Sequence, residues 1–214
     1  QMALFKVNTG TREQEVCALE WGWEAQVQEL AISVFIIPGD LVKNREDRLV
    51  VMNDVAQSVI EERRAAAKEV ERKTGSAPRH VFTYRGDRLG CMNNTAWQSA
   101  REAAAKEYEK ERGRKAPWGF QRIRVHDLKH TFGRRLRAAG VPEETRKVLL
   151  GHKNGDITTH YSAAELRELI EAVQKIDASR ETPVITLLRP QQAVDVLQKS
   201  CKKAKGRREP TLSV

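Results

Sequence analysis

Strand signals in this chain gather ahead of residue 54, and that asymmetry limits the folds open to it. The run AISVFIIP, residues 31 to 38, is dense in β-branched residues, which suit a pleated, half-buried surface and predict a strand. Pro38-Gly39-Asp40 then turns the chain, and LVKN with RLVVM predict two more strands of an antiparallel sheet around Asn44 to Asp47. Beyond them the pattern is helical apart from brief extended pieces, with no βαβ alternation and no internal repeat. The expected fold class is therefore mainly α with a small antiparallel β-sheet near the N-terminus, an α+β layout.

The helices follow from periodicity and punctuation. Thr9-Gly10-Thr11 predicts a turn before a short helix in REQEVCALE, residues 12 to 20, with Val16 and Leu19 inward. Asp54 is the expected cap of a helix whose apolar stripe is Val55, Val59, Ala66 and Val70, ended by Gly75. HVFTY is a brief extended segment, followed by the turn residues Arg85-Gly86-Asp87. NNTAWQSAREAAAKEYEKERG predicts another amphipathic helix, with Trp97, Ala100, Ala104 and Tyr108 as its stripe. A helical pair follows, and then a helix from about Ala163 to Ile176.

Charge narrows the partner. Lys and Arg exceed Asp and Glu by 38 to 29, a net +9, which favours an anionic partner and most simply nucleic acid. No apolar run reaches transmembrane length, and QMALFKVNTG lacks the flank and length of a signal peptide. Cys17, Cys91 and Cys201 are odd in number and form no CxxC pair, so they fit a reducing cytoplasm and supply no zinc framework. The chain opens as if in mid-helix, which suggests a piece of a longer protein. PVITLLRP, residues 183 to 190, is a lone extended apolar piece, and the basic end beyond it reads as a nucleic-acid-touching tail or as plain solvated disorder.

The chemistry concentrates in VHDLKHTFGRRLRAAGVPEETRKVLLGHKNGDITTHYS, residues 125 to 162, which holds four of the five histidines. A helix, an Ala-Gly-Val turn and a second helix opened by Pro142 would suit a helix-turn-helix DNA reader. Against that, Val148, Leu149 and Leu150 look like core rather than a surface offered to base edges. His126 and His130 lie four apart and could share a helix face, but no HExxH carboxylate and no third ligand accompany them. Singly, Arg12 would pass for a surface charge, Tyr161 for a packing residue and His152 for a capping histidine.

Taken together these pieces resemble the tyrosine recombinase (phage integrase) family. HDLKHTF resembles that family's His-x-x-Arg, LLGH its Leu-Gly-His, and Tyr161, nine residues past His152, its nucleophile. TGTREQEV resembles the first-arginine motif, placing that arginine at Arg12, and VKNREDR resembles the hairpin segment of the catalytic lysine, placing it at Lys43. The pieces occur in the family's order across residues 9 to 162. The resemblance implies the recombinase catalytic-domain fold over residues 1 to 180, its N-terminal part missing, with an extended segment and basic tail over residues 181 to 214.

It also implies a mechanism. Arg12 holds the scissile phosphate, His126 and His152 donate hydrogen bonds or handle protons, Lys43 protonates the leaving 5′ oxygen, and Tyr161 forms a 3′-phosphotyrosyl link. No metal and no other cofactor is implied. The implied partner is double-stranded DNA, bound as a homo-oligomer, a tetramer, with no membrane and no small-molecule substrate. The implied setting is the cytoplasm of a bacterium, encoded by a phage or an integrated element and nucleoid-associated when DNA-bound. The alternative is a non-catalytic DNA-binding protein, either a decayed recombinase or a helix-turn-helix regulator.

One position departs from the pattern. Lys129 stands where the family has its second arginine, and a lysine keeps the charge without the two-pronged fork. Impaired activity is the expectation.

Overall fold

The computed structural model describes residues 1–152 and 162–176. Tyr161, PVITLLRP and the basic end lie outside the described residues.

The chain begins with α1 (Met2–Thr9), which stops at Gly10 in the left-handed region (φ 64). A Cβ at Gly10 would meet the Phe132 ring at 2.5 Å, so glycine is needed there for packing as well as for the turn. Arg12 then opens α2 (Glu13–Ala18), in which Val16 and the following Leu19 are fully buried as the pattern predicts.

The sheet has three antiparallel strands in the order β1 (Glu24–Val27), β2 (Ile32–Ile37), β3 (Arg48–Val50). Phe35 lies opposite both Glu24 and Val50, so β2 is central. The strand count agrees with the sequence reading but the membership does not. LVKN is not a strand: Gly39–Leu41 form a 3₁₀ turn, and the Gly39 N–H is held by the Asp47 carboxylate at 2.8 Å. The remaining strand comes instead from Glu-Ala-Gln-Val, whose polar residues hide it from a propensity argument.

Asn53, not Asp54, caps α3 (Asp54–Thr74), accepting the Ala56 N–H at 3.0 Å, and Gly75 closes the helix. Its buried positions are Ala56, Val59 and Ile60, whereas Val70 is exposed, so only the first turns pack. The C-terminal half is a solvated face on which Glu69 pairs with Arg72 and Lys73. A short hairpin of β4 (Thr83–Tyr84) and β5 (Asp87–Arg88) turns through Arg85 and Gly86, both at positive φ.

Next comes α4 (Thr95–Arg112), capped by Asn94. Its inner face is Trp97, Arg101, Ala105 and Tyr108, whereas Ala100 and Ala104 are exposed. The inward arginine explains the shift, because Arg101 donates to the Ile123 carbonyl at 3.1 Å. The helical pair is α5 (Val125–Ala138) and α6 (Glu143–Leu149), joined through Gly140 at φ 73. The last described helix, α7 (Ala163–Gln174), starts with a capping box between Ser162 and Glu165.

Two apolar clusters hold these elements. Phe5, Val16, Leu19, Phe35, Ile37 and Val59 centre the first, which joins α1, α2, the sheet and α3. Phe132, Leu136, Leu149, Leu169 and Val173 centre the second, which joins α5, α6 and α7. Leu149 faces this core, as the sequence suggests, and so the end of α6 is committed to packing. Emptying the Phe132 site by Phe132→Ala would cost about 3–5 kcal/mol. Among the described residues, no helix is long and apolar enough to cross a membrane.

Candidate functional site

Where the two clusters meet, three basic side chains converge on three consecutive carbonyls. Arg48 Nη2 donates to the Leu149 carbonyl at 3.4 Å, Lys129 Nζ to Leu150 at 2.5 Å, and Arg12 Nη2 to Gly151 at 3.2 Å. These carbonyls close α6, where backbone acceptors lack helical partners and the helix dipole presents its negative end. Gly151 adopts φ 59, and a Cβ there would lie 3.0 Å from the Arg48 guanidinium carbon. The turn can approach the arginine this closely only without a side chain.

Glu15 holds two of these cations in place. Its carboxylate accepts from the Arg12 backbone N–H at 2.6 Å, from Arg12 Nη1 at 2.8 Å, and from Arg48 Nη1. Burial pushes the Glu15 pKa upward, but Arg48 and then the hydrogen bonds from Arg12 outweigh it and hold the carboxyl below its ordinary range. Arg48 is itself buried, and Nη2 also donates to the Gly10 carbonyl at 2.9 Å. Its pKa falls to about 10 through burial, partly offset by Glu15. Beneath them Lys6, fully buried on α1, donates to the Thr11 carbonyl, and burial lowers it to about 8.

Of the six residues expected from the sequence, the five that are described are distributed unevenly about this floor. Arg12 has 25% of its side chain exposed, so its guanidinium is fixed at the base yet open to an incoming anion. Lys129, one turn along α5 from His126, is only 6% exposed, and burial, then Arg48 and Arg12, lowers its pKa to about 6. His152 is exposed directly after Gly151, its backbone N–H bonded to the Lys147 carbonyl at 3.0 Å. Its pKa is lowered by partial burial and then by Lys129 and Arg12. His126 is exposed and edge-on to His130, with ring centroids 4.6 Å apart, and burial followed by His130 lowers its pKa.

Lys43 stands apart. It is exposed on the turn between β2 and β3 and makes no hydrogen bond or ion pair among the described residues. A cavity of about 440 Å³ lies between that turn and the end of α6, lined by Asn44, Asp47, Arg48, Gly151 and His152. The sixth residue, Tyr161, lies outside the described residues.

Arg48 and Glu15 are the contributors that the sequence reading passed over. A signal existed in β3, where alternation puts Arg48 and Val50 on one buried face. A charge on a buried strand face needs a partner, and Glu15 is that partner. Chemically the arrangement braces the partly open Arg12 guanidinium against the buried Arg48–Glu15 pair, a donor fixed in advance that can meet an anion without reorganisation. Among the described residues no group of three or more His, Cys, Asp or Glu could hold a metal ion.

Comparison with known proteins places residues 1–168 under the model of the Phage integrase family. The integrase of Salmonella phage P22 is 24% identical over 193 residues, covering 84% of this chain and 43% of the relative. The chain thus spans less than half the length of that relative. Among solved structures, the Tn1549 transposon integrase in complex with circular intermediate DNA matches with a TM-score of 0.45 and 16% identity, over 77% of this chain and 54% of that one.

Proposed function

The chain belongs to the phage integrase family, and from that premise we propose that it is the catalytic part of a site-specific recombinase that cuts and rejoins duplex DNA. The observation that carries the reading is the convergence of Arg12, Lys129 and Arg48 on the 149–151 carbonyls, with His152 beside them. A phosphodiester under attack gathers charge on its nonbridging oxygens, and donors held in advance lower that barrier.

Residues 1 to 180 form the catalytic domain in this reading, and residues 181 to 214 an appended segment. Arg12 grips a nonbridging oxygen with its open edge while Glu15 fixes its other edge. His126 and His152 donate to the same phosphate. The Tyr161 hydroxyl passes its proton to one of these imidazoles as its oxygen attacks phosphorus, a 3′-phosphotyrosyl bond forms, and the 5′ oxygen departs with a proton from Lys43. The reverse attack by a new 5′-hydroxyl restores the phosphodiester and frees the tyrosine. Bond energy is kept throughout, so neither ATP nor metal enters. The net charge of +9 suits binding to duplex DNA, and a tetramer would bring together the strands to be exchanged.

A second reading, a DNA-binding relative without cleavage activity, is favoured by Lys129. Its ammonium is buried, turned onto the Leu150 carbonyl and lowered to about 6. Incubating the chain with nicked duplex DNA and resolving it under denaturing conditions separates the two. A covalent protein–DNA adduct supports the recombinase. DNA retention without any adduct across a range of substrates supports the binding protein.

A further inference from the structure

Between α4 and α5 the chain crosses GRKAPWGFQRIR, residues 113 to 124, which contains four basic residues and no acidic one. At its crest Trp118 is 77% exposed, the most exposed large hydrophobic side chain among the described residues. The Arg122 guanidinium lies over its ring, 4.1 Å from the centroid. Burying that indole elsewhere would recover a large apolar area, so a fold that leaves it in water has a use for it or no room for it.

The loop is built rather than slack. Phe120 packs against Tyr108 of α4 at 5.3 Å between centroids, and the Ala116 N–H donates to Glu109 at 2.9 Å. Arg114 donates to the Tyr108 hydroxyl at 3.0 Å. The Phe120 N–H closes a turn on the Pro117 carbonyl at 2.8 Å, and Arg101 holds the Ile123 carbonyl. Anchors on both sides of Trp118 therefore fix its backbone and present the ring outward. The same segment leads directly into α5, with His126 in its first turn.

We infer that Trp118 and Arg122 form a stacking platform for an unpaired nucleobase of the DNA substrate. The inference rests on the recombinase reading, since strand exchange must take bases near the cut out of their old pairing before they enter the new one. Within an intact duplex the faces of bases are covered by their neighbours, and only edges and backbone are open. A flat indole backed by a cation suits an open π-face. Because every base has such a face, the platform is indifferent to sequence. A second copy of this chain is a poorer occupant, because its own surface carries the same positive excess.

The test titrates the full chain with a short thymidine oligonucleotide and with a duplex of equal length, reading tryptophan fluorescence and affinity at one salt concentration. The oligonucleotide should quench fluorescence in the native chain. Trp118→Ala should remove most of the quenching and weaken single-strand binding by about tenfold or more, while Trp118→Phe keeps most of the affinity. Duplex affinity should change less than about twofold, the size of a lost contact that does no stacking. Unchanged single-strand binding in Trp118→Ala overturns the inference, as does an equal loss on both forms, which would mark a groove or backbone contact. A change confined to self-association in sedimentation overturns it too, in favour of a protein interface. Loss of duplex binding by the native chain would overturn the recombinase reading itself, whereas failure limited to the single-strand arm leaves that reading standing.

Discussion

Lys129 donates a hydrogen bond to the Leu150 carbonyl at 2.5 Å, tying the first half of α5 to the end of α6. A lysine there has one ammonium to offer, and that ammonium is already engaged with the backbone. An arginine could hold the same carbonyl with one nitrogen and extend another toward a phosphate.

Lys129→Arg should therefore raise the single-turnover cleavage rate by roughly one to three orders of magnitude, while DNA affinity moves by less than about tenfold. Both are measured at one salt concentration with a nicked duplex. Equal rates for the two proteins would mean that position 129 does not face the scissile phosphate.

Burial of the same ammonium makes stability depend on pH. A lysine whose folded-state pKa is about 6, against 10.5 unfolded, gives up its proton on folding. Its cost to stability is full below about pH 6 and fades as the pH climbs toward 10.5, with a slope of at most about 1.4 kcal/mol per unit. Lys6, at about 8, adds to the slope in the same sense above that pH. Lys129→Met should flatten the rise between pH 6 and pH 8 in urea unfolding. An unaltered profile in the variant would assign the dependence to other groups.

Glu15→Gln should destabilise the fold by about 3–5 kcal/mol, because it leaves the buried Arg48 guanidinium without a counter-charge. Acid should do the same in the native chain. Glu15 is held below its ordinary range, so its contribution is fully present above pH 4.5 and is lost as the pH falls through the folded value. Denaturant midpoints at pH 7 and pH 4 for both proteins check this, and the gap between them should narrow at the lower pH.

Tyr161→Phe should abolish any 3′-phosphotyrosyl adduct, while the same substitution at Tyr84 or Tyr108 leaves it intact. A residual adduct in Tyr161→Phe, seen by denaturing electrophoresis, would move the nucleophile elsewhere.

Cleavage should proceed equally well in excess EDTA, since every charge that the proposed reaction develops meets a protein cation or proton. A strict need for a divalent ion would point to another kind of phosphodiester chemistry.

The ends of elements were legible where a single residue type decides them. Gly75 and Gly113 stop α3 and α4 because a left-handed residue is needed at those points. Elements decided by tertiary partners were less so. β1 is a strand because Glu24 to Val27 pair with β2, and nothing in its composition asks for that. The inner face of α4 differs from the expected stripe by one position at Ala100 and Ala104 because Arg101 is drawn inward by a carbonyl of the following loop. Within the candidate site, motif order pointed to Arg12, Lys129 and His152, which the fold does assemble at the end of α6. Arg48 and Glu15 escaped because the alternation of β3 marks Arg48 as inward but its partner lies 33 residues away, beyond any local pattern.

Gly10 carries a consequence for tolerances. With no side chain between the α1–α2 turn and the Phe132 ring, the gap there is set by hard contact, as a machinist sets two parts against a shim of zero thickness. Arg12 is anchored two residues along one part and Lys129 three residues back along the other. The separation of these two side chains is thus inherited from a van der Waals contact. A methyl group at position 10 would change no charged residue and still alter the spacing of Arg12 and Lys129.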